Sequence, residues 1–293
     1  MDQAEGLRRL LACKPFRVVS FVAGSRQVGK TSLLANLAVC LARMGQEVLI
    51  IDENSGKDDI CAMFGLSSRY DLLHVLNQSR RIEDVVVRPT PGVSVLPAAM
   101  ALSQIASLTA EQQVILVDAM QELETPVNVL LVDGSYEHPL GYSPLGLSTS
   151  ETVLVLSAKE NAIKEAYALV RKLSLAFSRR HFKLLVNKTQ SEDNAKSIHE
   201  NLAKVAKLNG LAKIDSAGRI PYDREWQSAA KINMPMITAN PDSKASLAIR
   251  ELAMDMLHWP TDEHVKGGVG RFMGKLLRVT ERLSPVQQLA THV

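Results

Sequence analysis

The chain has 293 residues, 46% of them hydrophobic and 22% charged, with a formal net charge of +3. That is enough for one sizeable core with tails, and aromatics at only 4% beside abundant Leu, Val and Ala suit helices on a parallel sheet better than a β-sandwich. No apolar run reaches the ~18 residues of a spanning helix, and the N-terminus is too charged for a signal peptide, so a soluble or peripherally membrane-attached protein is expected.

Cys13, Cys40 and Cys61 form no CxxC pair and lie in or beside apolar stretches, where a free thiol behaves as a small hydrophobe; this fits a reducing cytosol. Charge is uneven. The segment 265–293 holds Lys266, Arg271, Lys275, Arg278 and Arg282 against Glu281 alone, leaving a nearly neutral body. A nearly neutral body with a basic tail argues against a DNA-coating surface, and no direct nucleic-acid partner is expected.

In chain order, Arg17 to Val22 is a short β-branched run, predicted as a strand. It leads into Gly24-Ser-Arg-Gln-Val-Gly-Lys-Thr31 and then a helical stretch, Ser32 to Met44, with Leu33, Leu34, Leu37, Ala38 and Leu41 at helical spacing and Gly45 placed to cap it. Glu47 to Ile51 follows as a buried strand ending at Asp52, completing a βαβ unit. Further strands are predicted at Val93–Leu96, Val127–Val132, Thr152–Leu156, Lys183–Val186 and, briefly, Arg219–Ile220. Helical patterns lie at Ser107–Leu123, Ile163–Phe177, Ala195–Leu208 and Ser243–Leu257. This alternation predicts an α/β fold with a doubly wound, mostly parallel sheet and ligands at the strand C-terminal ends. Residues 260–270, with Lys266-Gly-Gly-Val-Gly270, read as a linker.

Gly24-x4-Gly29-Lys30-Thr31 is a P-loop pattern with the strand before it and the helix after it that the pattern requires. In such a loop the backbone N–H groups of Gly24, Ser25, Arg26, Gln27, Val28, Gly29, Lys30, Thr31 and Ser32 converge on phosphate oxygens. Lys30 offsets charge near the outer phosphates, and the Thr31 hydroxyl suits Mg²⁺. Asp133 ends the strand Val127–Val132, where an acid would hold the Mg²⁺ shell; standing alone it could equally form a turn.

The P-loop, Asp52, Asp133, Leu184-Leu-Val-Asn-Lys188 and Ile220-Pro-Tyr-Asp223 follow the order seen in MinD/ParA ATPases, which the chain resembles over about residues 16–260. Ile220 to Asp223 and Ser243-Lys-Ala-Ser-Leu-Ala248 look specifically like the FlhG/FleN branch. The resemblance implies a MinD-like P-loop domain at 15–260 that binds ATP or ADP with Mg²⁺ and forms a nucleotide-dependent homodimer. In it Asn187 would contact adenine, Pro221 would lie along the base, and Lys30, Asp52 and Asn54 would stand at the catalytic positions. Three segments depart from the family pattern. Ser25 replaces the signature Lys, with Arg26 and Gln27 where glycines are usual; Asp52-Glu53-Asn54 replaces Asp-x-Asp; and Gly134 to Pro139 replaces a small-residue switch. An amide cannot take a proton, so weak or lost ATP hydrolysis is expected. The alternative is a competent MinD/ParA-type ATPase in cell-division or DNA and cargo positioning.

Both ends also carry expectations. Asp2-Gln-Ala-Glu-Gly-Leu-Arg8 resembles the DQAxxLR activator motif of FlhG proteins, in which Asp2, Gln3, Ala4, Leu7 and Arg8 would engage the SRP-type GTPase FlhF; alone, so short a stretch would be a frayed surface helix. At the other end Val269, Phe272, Met273, Leu276, Val279 and Leu283 share one helical face beside a basic stripe, so 261–293 is expected to be a linker and a basic amphipathic helix. It would bind an anionic membrane surface, or pack on its own domain or a partner. The family resemblance favours the membrane. The implied regulator of flagellar number and placement is cytoplasmic, peripheral to the inner face of the cell membrane, with C-ring proteins or a transcription activator as further family partners.

Overall fold

The computed structural model describes residues 15–260 and 268–290 apart from 57–58, 106, 124–126, 137 and 139–141, with the backbone alone at 283–290. The P-loop strand β1 (Arg17–Val22) lies in an eight-stranded sheet with β2 (Val48–Asp52), β3 (Val87–Thr90), β4 (Val93–Pro97), β5 (Val129–Asp133), β6 (Glu151–Ser157), β7 (His181–Thr189) and β8 (Lys213–Pro221). The spatial order is β3-β4-β2-β5-β1-β6-β7-β8. Only the β3/β4 pair is antiparallel. β1 sits between β5 and β6, two strands from the β2 it feeds, so connections leave it in opposite directions; ligands of open α/β sheets bind at such a point.

Twelve α-helices and one 3₁₀ turn, Ala62–Phe64, are described. α1 (Lys30–Arg43), α2 (Leu72–Leu76), α3 (Ile82–Val85), α4 (Leu102–Ile105), α5 (Ala110–Gln121) and α6 (Pro144–Leu147) are followed by α7 (Glu160–Phe177), α8 (Glu192–Leu208), α9 (Arg224–Lys231), α10 (Met236–Ala239), α11 (Lys244–His258) and α12 (Gly268–Ala290). The central strands are buried end to end, which is why they read as continuous apolar runs rather than alternating ones. Alternate side chains of the central strands enter separate cores. Val19, Phe21, Ile50 and Leu131 pack with α1 and α11, while Leu49, Ile51, Leu130 and Val132 pack with α2, α5 and α12.

Several elements depart from the sequence reading, among them the short helices α2, α3, α4, α6, α9 and α10, which it did not mark, and the predicted linker 260–270, which α12 enters at Gly268; two strands depart for identifiable reasons. β8 is nine residues long rather than two: Ile214, Ala217 and Ile220 are buried at intervals of three because the register shifts around Gly218, whose φ is +93°. That bulge erases the period of two. β3, Val-Arg-Pro-Thr, carries a proline that only an edge position tolerates, and it has no apolar run to reveal it.

α12 packs on the chain's own domain, one of the alternatives its sequence left open. Phe272, Met273 and Leu276 are fully buried against α5 and α6, in one cluster with Leu116, Met120 and Leu145, and Val269 and Leu277 cover its edge. The Lys275 ammonium donates to the Thr149 carbonyl at 3.2 Å. Val279 is half-buried, Arg271, Arg278 and Arg282 are exposed, and the Leu283 side chain lies outside the described residues. The apolar stripe chosen for lipid is thus covered by the chain's own domain. Each such side chain gains roughly 1.5–3 kcal/mol by leaving water, whichever apolar surface receives it, so an amphipathic pattern alone does not choose between protein and lipid.

Candidate functional site

β1 delivers the chain into the P-loop at the centre of the sheet, and two glycines are required there. A Cβ on Gly24 would stand 2.4 Å from the backbone carbonyl of Glu165, because α7 packs directly on the loop. Gly29, at φ +85°, caps α1 in a left-handed conformation, with the Asn187 amide and the Lys188 stem against its Cα. Gln27 between them holds φ +61° without being glycine. Such strain persists only where surrounding structure enforces it. Lys188, itself at φ +57°, donates from Nζ to the Gln27 carbonyl at 2.9 Å, and Asn187 Nδ2 donates to the Val28 carbonyl at 2.8 Å.

These clamps give Asn187 a definite place. Its Oδ1 accepts from the Lys188 backbone N–H at 2.9 Å, so the amide keeps one hydrogen and one lone pair beyond these two bonds. Pro221 ends β8 beside Thr189. Ser25 is half-buried and Arg26 and Gln27 are exposed on the outer side of the loop. Ser32 accepts a hydrogen bond from the Trp226 indole at 2.7 Å, at the edge of a cleft lined by Asn36, Met63, Met234 and Met236.

The charged centre is built on Asp133, which is wholly buried. One of its carboxylate oxygens pairs with the Lys30 ammonium; the other accepts from the Thr31 hydroxyl at 2.8 Å and from Asn54 Nδ2 at 3.0 Å. β2 and β5 are in register, Asp52 opposite Asp133, which brings the two acids together. Asn54 bridges them: its Nδ2 also reaches Asp52 Oδ1 at 3.1 Å and the Asp133 carbonyl at 3.0 Å. Asp52 itself accepts from the Ile60 N–H at 2.7 Å and the Asn54 N–H at 3.0 Å, ordering the chain after β2. Burial first, and then the Asp133 charge, holds the Asp52 carboxyl above the usual range.

The residues suit a phosphate-bound Mg²⁺. Thr31 and Asp133 place a hydroxyl and a carboxylate, both hard oxygen donors, within hydrogen-bond distance at the N-terminus of a 14-residue helix, with Lys30 as the nearby cation. Asn54 faces both acids as a hydrogen-bond donor, and its amide can take no proton at this position.

Sequence reasoning missed Glu53. It is 2% exposed and lies on the opposite side of β2 from Asp52 and Asn54, accepting from the Ser143 hydroxyl through one oxygen and from the Ser135 backbone N–H at 2.9 Å through the other. Burial pushes its carboxyl up to about 7, against the pull of those two bonds and of the Lys30 charge. A charged residue one position past a buried Asp, at the end of an otherwise apolar strand, was the available signal. The activator motif at residues 2–8 lies outside the described residues.

A strand, a P-loop, a helix and an acid on the neighbouring strand define a P-loop nucleotide-binding protein. A protein-family model described as an AAA domain matches residues 16–200, and the chain belongs to that family. Within it the chain is of the MinD/ParA type and the FlhG/FleN kind. The antiactivator FleN of Pseudomonas aeruginosa is 27% identical over 93% of this chain and 97% of its own length. The flagellum site-determining protein YlxH of Helicobacter pylori is 24% identical over 89% and 90%. Among solved structures, MinD in the MinC:MinD complex of Aquifex aeolicus superimposes with a TM-score of 0.65 at 22% identity, covering 84% of this chain and 97% of that one. MinD of Pyrococcus horikoshii with Mg-ADP gives 0.61 at 18%, covering 86% and 98%. At those identities the likeness is one of fold.

Proposed function

We propose that this chain is a nucleotide-binding, MinD-like regulator of flagellar number and placement that binds Mg-ATP or Mg-ADP and hydrolyses ATP slowly or not at all. The observation that carries the reading is the Lys30, Thr31, Asp133 and Asn54 cluster at the sheet's switch point. Mg²⁺, when bound, neutralises phosphate charge there; Lys30 binds the phosphates, Thr31 and Asp133 hold the ion's shell, and Gly24 and Gly29 let the loop backbone approach. Asn54 spans the two acids as a hydrogen-bond donor and supplies no base to a water. The flagellar role is supported by the likeness to FleN and YlxH over almost the whole chain.

As a regulator the protein works by contact. Its partners on this reading are the SRP-type GTPase FlhF, engaged through residues 2–8, a second copy of the chain, and flagellar C-ring proteins or a transcription activator. The α12 packing adds a condition to the membrane role: the helix must leave α5 and α6 before Phe272, Met273 and Leu276 can meet lipid.

ATP turnover of the wild-type chain and of Asn54→Asp tests the reading. Slow wild-type turnover that rises about tenfold or more in the variant, where a carboxylate again stands at that position, supports it. Wild-type turnover on the order of the 1 s⁻¹ at the low end of ordinary enzymes contradicts it.

A further inference from the structure

Trp226 is no part of the P-loop pattern, yet its indole reaches the first turn of α1. Its Nε1 donates to the Ser32 hydroxyl oxygen at 2.7 Å, and the half-buried ring packs against the core on that side of the sheet. Further bonds join the same segment to the same helix. The Ile237 N–H donates to Asn36 Oδ1 at 2.8 Å, and Asn36 Nδ2 donates to the Ser32 carbonyl at 2.7 Å. Arg43, at the other end of α1, donates to the Ile237 carbonyl at 2.8 Å and to the Thr238 hydroxyl at 3.0 Å. The chain that follows Pro221 is therefore laid along α1. It holds Ser32 twice, directly at the hydroxyl and through Asn36 at the carbonyl.

An indole N–H can only donate, so the Ser32 oxygen is the acceptor and its own hydrogen is turned away from Trp226. Among the described residues that hydrogen meets no acceptor. The Ser32 backbone N–H is also one of the donors at the start of α1 that have no intrahelical partner, since the first bond runs from the Leu33 N–H to the Gly29 carbonyl at 3.0 Å. One residue thus offers the loop both a hydroxyl and an amide donor. Its neighbour Thr31 turns to Asp133 on the metal side, whereas Ser32 faces α9, which follows the base-edge Pro221. A residue between those two sides is set for the nucleotide's inner phosphate, with Lys30 on the outer ones. We propose that Trp226 is a positioning residue for nucleotide binding, whose indole fixes the Ser32 hydroxyl as a donor to that inner phosphate. A hydroxyl already oriented loses less freedom when the ligand arrives. The proposal rests on the nucleotide-binding reading and adds to it a residue outside the P-loop, through which the base-side segment supports the phosphate side.

Titration calorimetry of the full-length chain with Mg-ADP tests this as a double-mutant cycle. Trp226→Phe keeps an aromatic ring and removes the donor, and it should weaken binding about fivefold. Ser32→Ala removes the hydroxyl itself and should weaken binding about tenfold or more. The double variant should bind within about twofold of Ser32→Ala alone, because the indole then has no hydroxyl to orient. A ring that merely packs α9 against the core would give the same loss with or without that hydroxyl. Additive losses in the double variant would therefore overturn the proposal, and so would Trp226→Phe binding as tightly as wild type. Either result leaves the nucleotide-binding reading standing, since wild-type protein still binds Mg-ADP. No binding by wild type would contradict that reading, and this inference with it.

Discussion

Leu276→Ala separates the two homes that the α12 stripe could have. Leu276 is wholly buried between α5 and α6, flanked by Phe272 at 4% exposure and Met273 at 1%. Truncating a buried leucine removes its transfer free energy and leaves a cavity, together about 2–5 kcal/mol. For a domain of this size each kcal/mol moves Tm by roughly 2–4 °C, so about 3 kcal/mol predicts a fall of about 6–12 °C. Differential scanning calorimetry on the full chain reads it directly, with Arg278→Ala on the exposed rim as the control, expected within about 1 °C. The same scan on a chain ending at Pro260 should show a loss at least as large. A Leu276→Ala Tm equal to wild type would refute the packed arrangement and return the helix to the role of a free anchor.

Gly24→Ala should weaken ADP binding by about tenfold or more in titration calorimetry, because the added Cβ meets the Glu165 backbone at 2.4 Å and either the loop or α7 must move. Unchanged affinity would show that the loop is not held by that contact. Cys61, buried, with burial and the nearby Asp59 and Asp52 charges pushing its thiol up to about 12, should resist iodoacetamide at pH 8 in the native protein and react only after unfolding. Cys40, also buried with its thiol pushed up by burial, should behave likewise, and mass spectrometry of the labelled peptides checks both.

The parts of the fold that were legible in the sequence are those where burial is uniform. β1, β2, β5 and β6 are mostly apolar and buried along nearly their whole length, so composition marks them, and Lys30, Thr31 and Asp133 follow because the P-loop pattern carries its own context. Most of β8 was lost, with only Arg219–Ile220 legible, because Gly218 shifts the register and spaces the buried residues by three. Glu53 was lost for a different reason: side-chain alternation puts it on the face of β2 away from the motif, and only the three-dimensional path of the chain after Asp133 brings Ser135 and Ser143 to meet it. The α12 stripe was legible as a stripe, but what covers it depends on α5 and α6, about 130 to 160 residues earlier, and no local pattern encodes that distance.

The central claim is that the Lys30 and Asp133 centre binds a magnesium nucleotide. Isothermal titration of the full-length chain with ADP and with ATP, each with Mg²⁺, tests it most directly when set beside Lys30→Ala. The account predicts saturable one-site binding of both nucleotides and a loss of about 100-fold or more in the variant, which would leave the phosphates without their charge partner and Asp133 without the cation it now holds. Equal affinity in wild type and variant, or no heat with either nucleotide, would contradict it.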